Sequence, residues 1–179
     1  MTEPAEQLVF SSSMEGMWRA LQPPTPLEAA AFARAGITGK GFQAAYPLLQ
    51  YTDLLDACGA SRFGHLAPLE KFTKINQLFM KGYENTIIGQ ALMAVLRVLG
   101  PRRTLERMTR NFRTANNYTE VTVESFAANH HKVRVTHVTR PGLFVGLLGS
   151  GCAIAGAKGL SILLLEHQAQ VALYEVKWS

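Results

Sequence analysis

Residues 118–138 of the 179-residue chain read YTEVTVESFAANHHKVRVTHV, and the period of this stretch decides the fold. Apolar and polar side chains alternate from Tyr118 to Phe126 and again from Lys132 to Val138, as half-buried strands require, with Ala128-Asn129 at the turn between them. An antiparallel hairpin is expected. Residues 141–178, PGLFVGLLGSGCAIAGAKGLSILLLEHQAQVALYEVKW, continue with a small-residue helix that Pro141-Gly142 opens and Ala157-Lys158-Gly159 closes. Two further strands follow, Leu160 to Glu166 and Val171 to Trp178. The last third therefore reads β-β-α-β-β.

Upstream the period is helical. Gln7 to Ser11 is a short β-like stretch, expected to add an edge to the sheet, and Met14, Met17, Trp18 and Leu21 then recur at helical spacing until Pro23-Pro24. Thr25 caps a helix that begins at Pro26. Leu48, Tyr51, Leu54 and Leu55 mark the next helix, closed by Cys58-Gly59. From Leu69 to Leu99 no proline intervenes, so one long helical region is expected, with Gly82 and Gly89 marking a bend or the close approach of another backbone. Gly100-Pro101 starts a further helix to Phe112, with Leu105, Met108 and Phe112 on one side and Arg103, Arg107 and Arg110 on the other. The fold class is α+β, a single domain over residues 1–179 in which N-terminal helices cover one face of an antiparallel sheet.

Composition agrees. With 47% apolar and 17% charged residues, the chain has the makings of a globular core and not of a disordered or fibrous protein. Its two cysteines, Cys58 and Cys152, make neither a disulfide framework nor a zinc spacing, which fits a reduced, intracellular setting with Cys58 as a packing residue. The opening Met1 to Gln7 is acidic and lacks the basic and apolar regions of a secretory signal, so a cytoplasmic location is expected. Thr86 to Leu99 is too short for a membrane span and carries Gln90 and Arg97. Gly142 to Leu165 is broken by glycines and Lys158, so no span is expected there either.

Several motifs carry a resemblance. Val9-Phe10-Ser-Ser-Ser-Met-Glu15-Gly16-Met17, Ala45-Tyr46-Pro47, Gly82-Tyr83-Glu84-Asn85-Thr86-Ile87-Ile88-Gly89, Leu99-Gly100-Pro101-Arg102 and Phe112-Arg113-Thr114-Ala115-Asn116-Asn117-Tyr118 together resemble a paralogous family of uncharacterised myxobacterial proteins. This likeness spans nearly the whole chain and implies a lineage without a reaction. The ending, Pro141-Gly-Leu-Phe-Val-Gly146-Leu-Leu-Gly-Ser-Gly151 with Ala155-Gly156-Ala157 and Tyr174-Glu-Val-Lys-Trp178, is similar to 4-vinyl reductase and TRAPP-like domains. That resemblance implies a binding module: a small-molecule sensor, a haem-based gas sensor or a scaffold for small GTPases. Its haem branch uses an axial histidine and a Tyr-x-Ser-x-Arg constellation. Tyr118-Thr-Glu-Val approaches that constellation without matching it, so no cofactor is expected.

Charge is the strongest chemical signal. Arg97 to Arg140 holds nine Lys or Arg against Glu106, Glu120 and Glu124, which accounts for the whole net charge of +5. Arg102 and Arg103 fall in the first turn of their helix, where the macrodipole disfavours cations by about 0.3–1 kcal/mol each. Local stability does not explain them. With Arg107, Arg110 and Arg113 they form a candidate site for an acidic protein surface or an anionic ligand; the simpler account is a solvated cationic face with Glu106 as a partner.

Other chemistries find less support. Nucleic acid has only the electrostatic footprint in its favour, since no recognition motif occurs and Tyr118 and Phe126 read as strand core residues. His130, His131 and His137 lack a carboxylate or cysteine at ligand spacing and read as turn and strand-end histidines, so no metal is expected. Ser150-Gly-Cys152 lies in an apolar helix without a nearby base, and the glycines do not follow a phosphate-binding spacing. No catalytic residue is assigned and no enzyme is expected. Close packing of the small-residue helix against the sheet or a second subunit makes a homodimer a natural expectation. Phe79, Tyr83, Ile87, Met93 and Phe144 are candidates for that contact or for lining an internal cavity. Two functions compete: a non-catalytic signalling adaptor that binds an acidic partner, such as a regulatory small GTPase system, through the basic helix; and a sensor holding a lipid or other hydrophobic small molecule in an internal cavity.

Overall fold

The computed structural model describes residues 6–179, so most of the acidic opening stretch lies outside it. Chain order is β1 (Leu8–Phe10), α1 (Ser11–Ala20), α2 (Pro26–Arg34), β2 (Ala45–Pro47), α3 (Leu48–Phe63), α4 (Pro68–Tyr83) and α5 (Ile87–Glu106). There follow α6 (Met108–Phe112), β3 (Val121–Ala127), β4 (His130–Val135), α7 (Pro141–Ile154), β5 (Ser161–Gln168) and β6 (Val171–Lys177).

The alternation of the last third produces one four-stranded antiparallel sheet in the order β3-β4-β6-β5. His131, Val133 and Val135 of β4 and Ala172, Tyr174 and Val176 of β6 are buried on one face, while Leu163 and Leu165 of β5 lie exposed. The β5–β6 hairpin turns at Ala169 and Gln170, whose φ values of 46° and 63° match the right-handed twist of the strands. Phe126 is 51% exposed and does not belong to the core that its alternation implied. It lies against His130 at the hairpin end, with the Lys132 ammonium 5.3 Å over its ring.

Two apolar cores result. One is built from α1 to α5 around Met14, Met17, Phe32, Leu54 and Ile75. The other lies between the sheet and α5, α6 and α7, around Leu105, Val133, Leu148 and Tyr174. Helix α7 borders both, because its glycines let α4 come close. A Cβ on Gly142 would lie 2.2 Å from the Leu69 carbonyl oxygen, and one on Gly146 would lie 2.7 Å from the Asn76 Cβ. The small-residue face thus serves an internal helix pair.

The start of α2 is as read: Thr25 accepts from the Glu28 amide at 3.4 Å, and its own amide donates to Glu28 Oε2 at 2.8 Å. Glu28 also receives Arg62 of α3 on both oxygens, at 2.7 and 2.9 Å, which ties α2 to α3.

Four boundaries differ from the sequence reading. The opening strand pairs with β2 in a separate two-stranded ribbon and does not extend the sheet. The region from Leu69 to Leu99 is two helices, because Thr86 accepts from the Gly89 amide at 2.9 Å and starts α5 anew. Helix α3 runs past Cys58-Gly59 to Phe63. The expected helix from Pro101 to Phe112 breaks at Arg107, where φ is −100° and ψ is 8°. Among the described residues no helix is long and apolar enough to cross a membrane.

Candidate functional site

Where the two cores meet they leave a cavity of about 150 Å³. Its floor is one face of α4: Asn76, Phe79, Met80 and Tyr83 follow at spacings of three, four and seven residues and so share a side of the helix. Leu92, Met93 and Leu96 of α5 form one wall, and Leu143, Phe144 and Leu147 of α7 form another. Gly100 makes the enclosure possible. Its φ of 75° turns the chain so that Pro101 restarts the helix in a new direction, and Thr104 and Met108 arrive over the cavity from the sheet side.

The lining is apolar with a few polar atoms, and three of these are unusual. Asn76 Oδ1, the Tyr83 hydroxyl and Thr104 Oγ1 are buried and have no hydrogen-bond partner. Their residues are 4%, 3% and 1% exposed, and all three line this cavity. Two neighbouring polar groups are satisfied. Asn116 Oδ1 accepts from the amides of Tyr118 and Thr119 at 3.1 and 2.8 Å, and Ser13 Oγ donates to the Ala115 carbonyl at 3.4 Å. Burial pushes the Tyr51 and Tyr118 phenols up, the latter to about 12, so both stay neutral at physiological pH.

The rim carries the charge. Arg140 donates to Asp56 of α3 through Nε at 2.9 Å and also through Nη2, and its guanidinium lies 5.5 Å over the Phe72 ring. This pair links the helical half to the segment that enters α7. His137, exposed and with a positive φ of 57°, contacts Thr136 Oγ1 through Nδ1 at 3.1 Å and meets the Tyr118 ring edge-on.

Of the residues singled out in the sequence, Phe79, Tyr83, Met93 and Phe144 line the cavity. Ile87 does not: it opens α5 on the outer side and is 87% exposed. Arg102, Arg103, Arg107, Arg110 and Arg113 are all exposed. Arg102 pairs with Glu106 at 2.8 Å and Arg113 with Glu120 at 3.5 Å, whereas Arg103, Arg107 and Arg110 have no ion-pair partner among the described residues.

The histidines behave as packing and surface groups. His131 is buried, stacks on Trp178 at 4.9 Å and shares a hydrogen bond with Ser125 Oγ. His130 meets Glu175 at 2.9 Å. No group of three metal-ligating side chains occurs among the described residues. Cys58 and Cys152 are buried thiols that desolvation pushes up to about 12, which leaves them unreactive.

Sequence reasoning missed Asn76, Thr104 and Arg140. Asn76 did leave a signal, a polar residue on the apolar face of α4 between Ile75 and Phe79. Thr104 left none, because its position depends on the turn at Gly100.

A family model described as "Protein of unknown function (DUF2378)" matches residues 7–179. No curated protein matches the chain in sequence. Among solved structures, an Fe(II) unliganded H-NOX protein from K. algicida is similar at 10% identity, with a TM-score of 0.63 over 94% of this chain and 95% of that one. An H-NOX protein from S. oneidensis in the Fe(II)NO ligation state is similar at 10% identity, with a TM-score of 0.62 over 95% and 99% of the two chains. A third, from work on haem distortion in the H-NOX family, has 9% identity and a TM-score of 0.56 over 94% of each chain. The fold is therefore like that of H-NOX proteins over 94–95% of the chain, which corrects the likeness to 4-vinyl reductase and TRAPP-like domains drawn from the ending.

Haem, which those relatives bring into question, does not fit the residues present. The one histidine among the described lining residues, His137, is exposed at the rim with Nδ1 against Thr136. Arg140, the lining's cation, is taken by Asp56. A cavity of about 150 Å³ holds a benzene-sized molecule, not a four-pyrrole macrocycle.

Proposed function

The chain belongs to the DUF2378 family of proteins of unknown function, and from its cavity we propose that it is a non-catalytic sensor domain binding a small, largely apolar molecule. One observation carries this reading: an apolar space whose walls come from both cores, with α4 and α7 of the two halves on either side. A molecule buried there removes its apolar surface from water at about 25 cal/mol per Å². It also touches both halves at once, so occupancy biases how they pack. The H-NOX fold supports the reading by analogy, since one such relative was solved with NO on its Fe(II).

The adaptor reading now rests on Arg103, Arg107 and Arg110 alone, because Arg102 and Arg113 have carboxylate partners. The cavity is the better-supported site.

Native mass spectrometry of the freshly purified protein, beside a Leu96→Trp variant that fills the cavity, tests the proposal. The expected result is an added mass on the native protein that is missing from the variant, or, for a protein purified empty, toluene-induced NMR shifts at α4, α5 and α7 that the variant lacks. Identical spectra for the two proteins with and without toluene would contradict it.

A further inference from the structure

Resting on the cavity reading above, we propose that the ligand is a neutral, hydroxyl-bearing molecule of about one aromatic ring, recognised by Asn76, Tyr83 and Thr104. Folded proteins pair nearly all their buried polar atoms, and unpaired ones are uncommon. In this chain the three unpaired side-chain atoms among the described residues all belong to residues that line one cavity, although these come from both sides of the turn at Gly100. Packing does not force this. Thr104→Val and Tyr83→Phe would keep the shape without a hydroxyl, in a lining that Leu, Met and Phe side chains share with polar residues such as Asn116 and Tyr118.

The kinds of atom set the ligand's chemistry. A carboxamide oxygen accepts only, so Asn76 Oδ1 calls for an O–H or N–H on the ligand; the Tyr83 and Thr104 hydroxyls can donate to or accept from the same group. A ligand hydroxyl, both donor and acceptor, answers all three. A carboxylate answers them less well: it can accept from Asn76 Nδ2 and the two hydroxyls but offers no hydrogen to Asn76 Oδ1, and it would be buried without a free cation, as Arg140 is held by Asp56. An unsubstituted hydrocarbon would enter but leave the three atoms unpaired. Size follows from the space, about 150 Å³.

Three probes of one shape separate these cases: p-cresol, toluene and 4-methylbenzoate, titrated into the full chain and followed by calorimetry or NMR. We expect p-cresol to bind at least tenfold more tightly than toluene, and 4-methylbenzoate not to bind. In Asn76→Leu, Tyr83→Phe and Thr104→Val the preference for p-cresol should shrink while toluene binding persists, which also reports that each variant keeps its cavity. Toluene and p-cresol binding equally well to the unaltered protein would overturn the recognition proposal and leave the cavity reading standing. Binding of 4-methylbenzoate as tight as that of p-cresol would overturn the neutrality of the ligand. Failure of all three probes to bind would overturn both readings.

Discussion

Three side chains, Asn76, Tyr83 and Thr104, bury polar atoms without a partner among the described residues. An unpartnered buried hydroxyl costs about 1–3 kcal/mol of desolvation, a cost that a well-fitting apolar group of the same shape avoids. Thr104→Val and Tyr83→Phe are therefore expected to stabilise the unliganded protein, by about 1 kcal/mol each, in urea denaturation. Most buried substitutions destabilise, so a fall in stability would show that these hydroxyls have partners the cavity account leaves out. Thr86→Val is the contrasting case. Its hydroxyl accepts from the Gly89 amide and donates to the Tyr83 carbonyl, so its removal should cost about 1 kcal/mol.

At the scale of elements, the junction of α2 and α3 depends on a buried carboxylate. Burial by itself would raise the pKa of Glu28, but hydrogen bonds from Arg62 and the Thr25 amide, together with the Arg62 charge, hold it below the ordinary value. A lowered folded pKa means that this contribution is present above the unfolded value, near 4.5, and is lost as pH falls through the lower folded one. His131 acts at higher pH. Burial lowers its pKa from 6.5, so the unfolded chain takes the proton first and stability declines once pH drops through that value. Urea midpoints measured from pH 8 to pH 3 should fall in two stages, and Glu28→Gln should shrink the lower one, which Glu175, held down by Lys177 and His130, shares. A midpoint unchanged down to pH 3 would rule this out. Arg62→Met, which leaves Glu28 buried without its partner, should cost about 3 kcal/mol.

Much of this level was legible in the sequence. The change from helical to alternating period located the β-β-α-β-β ending, Thr25 and Pro26 located α2, and the Gly100-Pro101 pair located the turn in α5. What escaped depended on partners distant in the chain. Val9 alternates like a sheet edge, yet β1 found β2 because Tyr46 lies opposite it. The region from Leu69 to Leu99 read as one helix bent at its glycines, and the bond from the Gly89 amide to Thr86 is what makes Thr86 a new helix start. The basic helix was counted as unbroken to Phe112, whereas Arg107 divides it, and the pairing of Arg113 with Glu120 needed the fold. The cavity was foreshadowed by Phe79, Tyr83, Met93 and Phe144, but its polar atoms needed the three-dimensional meeting of α4 with the chain beyond Gly100.

For the whole molecule the decisive feature is the seam between two cores. Helix α7 packs on α4 through Gly142 and Gly146 and on the sheet through Leu148 and Cys152, so one element touches both halves beside the cavity. Gly146→Leu should push α4 and α7 apart, lower stability by about 2–3 kcal/mol and abolish toluene binding together. The Arg140–Asp56 pair bridges the same seam at the rim, in partial exposure, and Asp56→Asn should loosen the seam with little loss of overall stability. The most direct test is a crystal of the protein under xenon pressure. The account expects a xenon atom among Phe79, Met93, Leu96 and Phe144, with the surrounding backbone unmoved. A seam closed by side chains, with xenon bound only elsewhere, would contradict it.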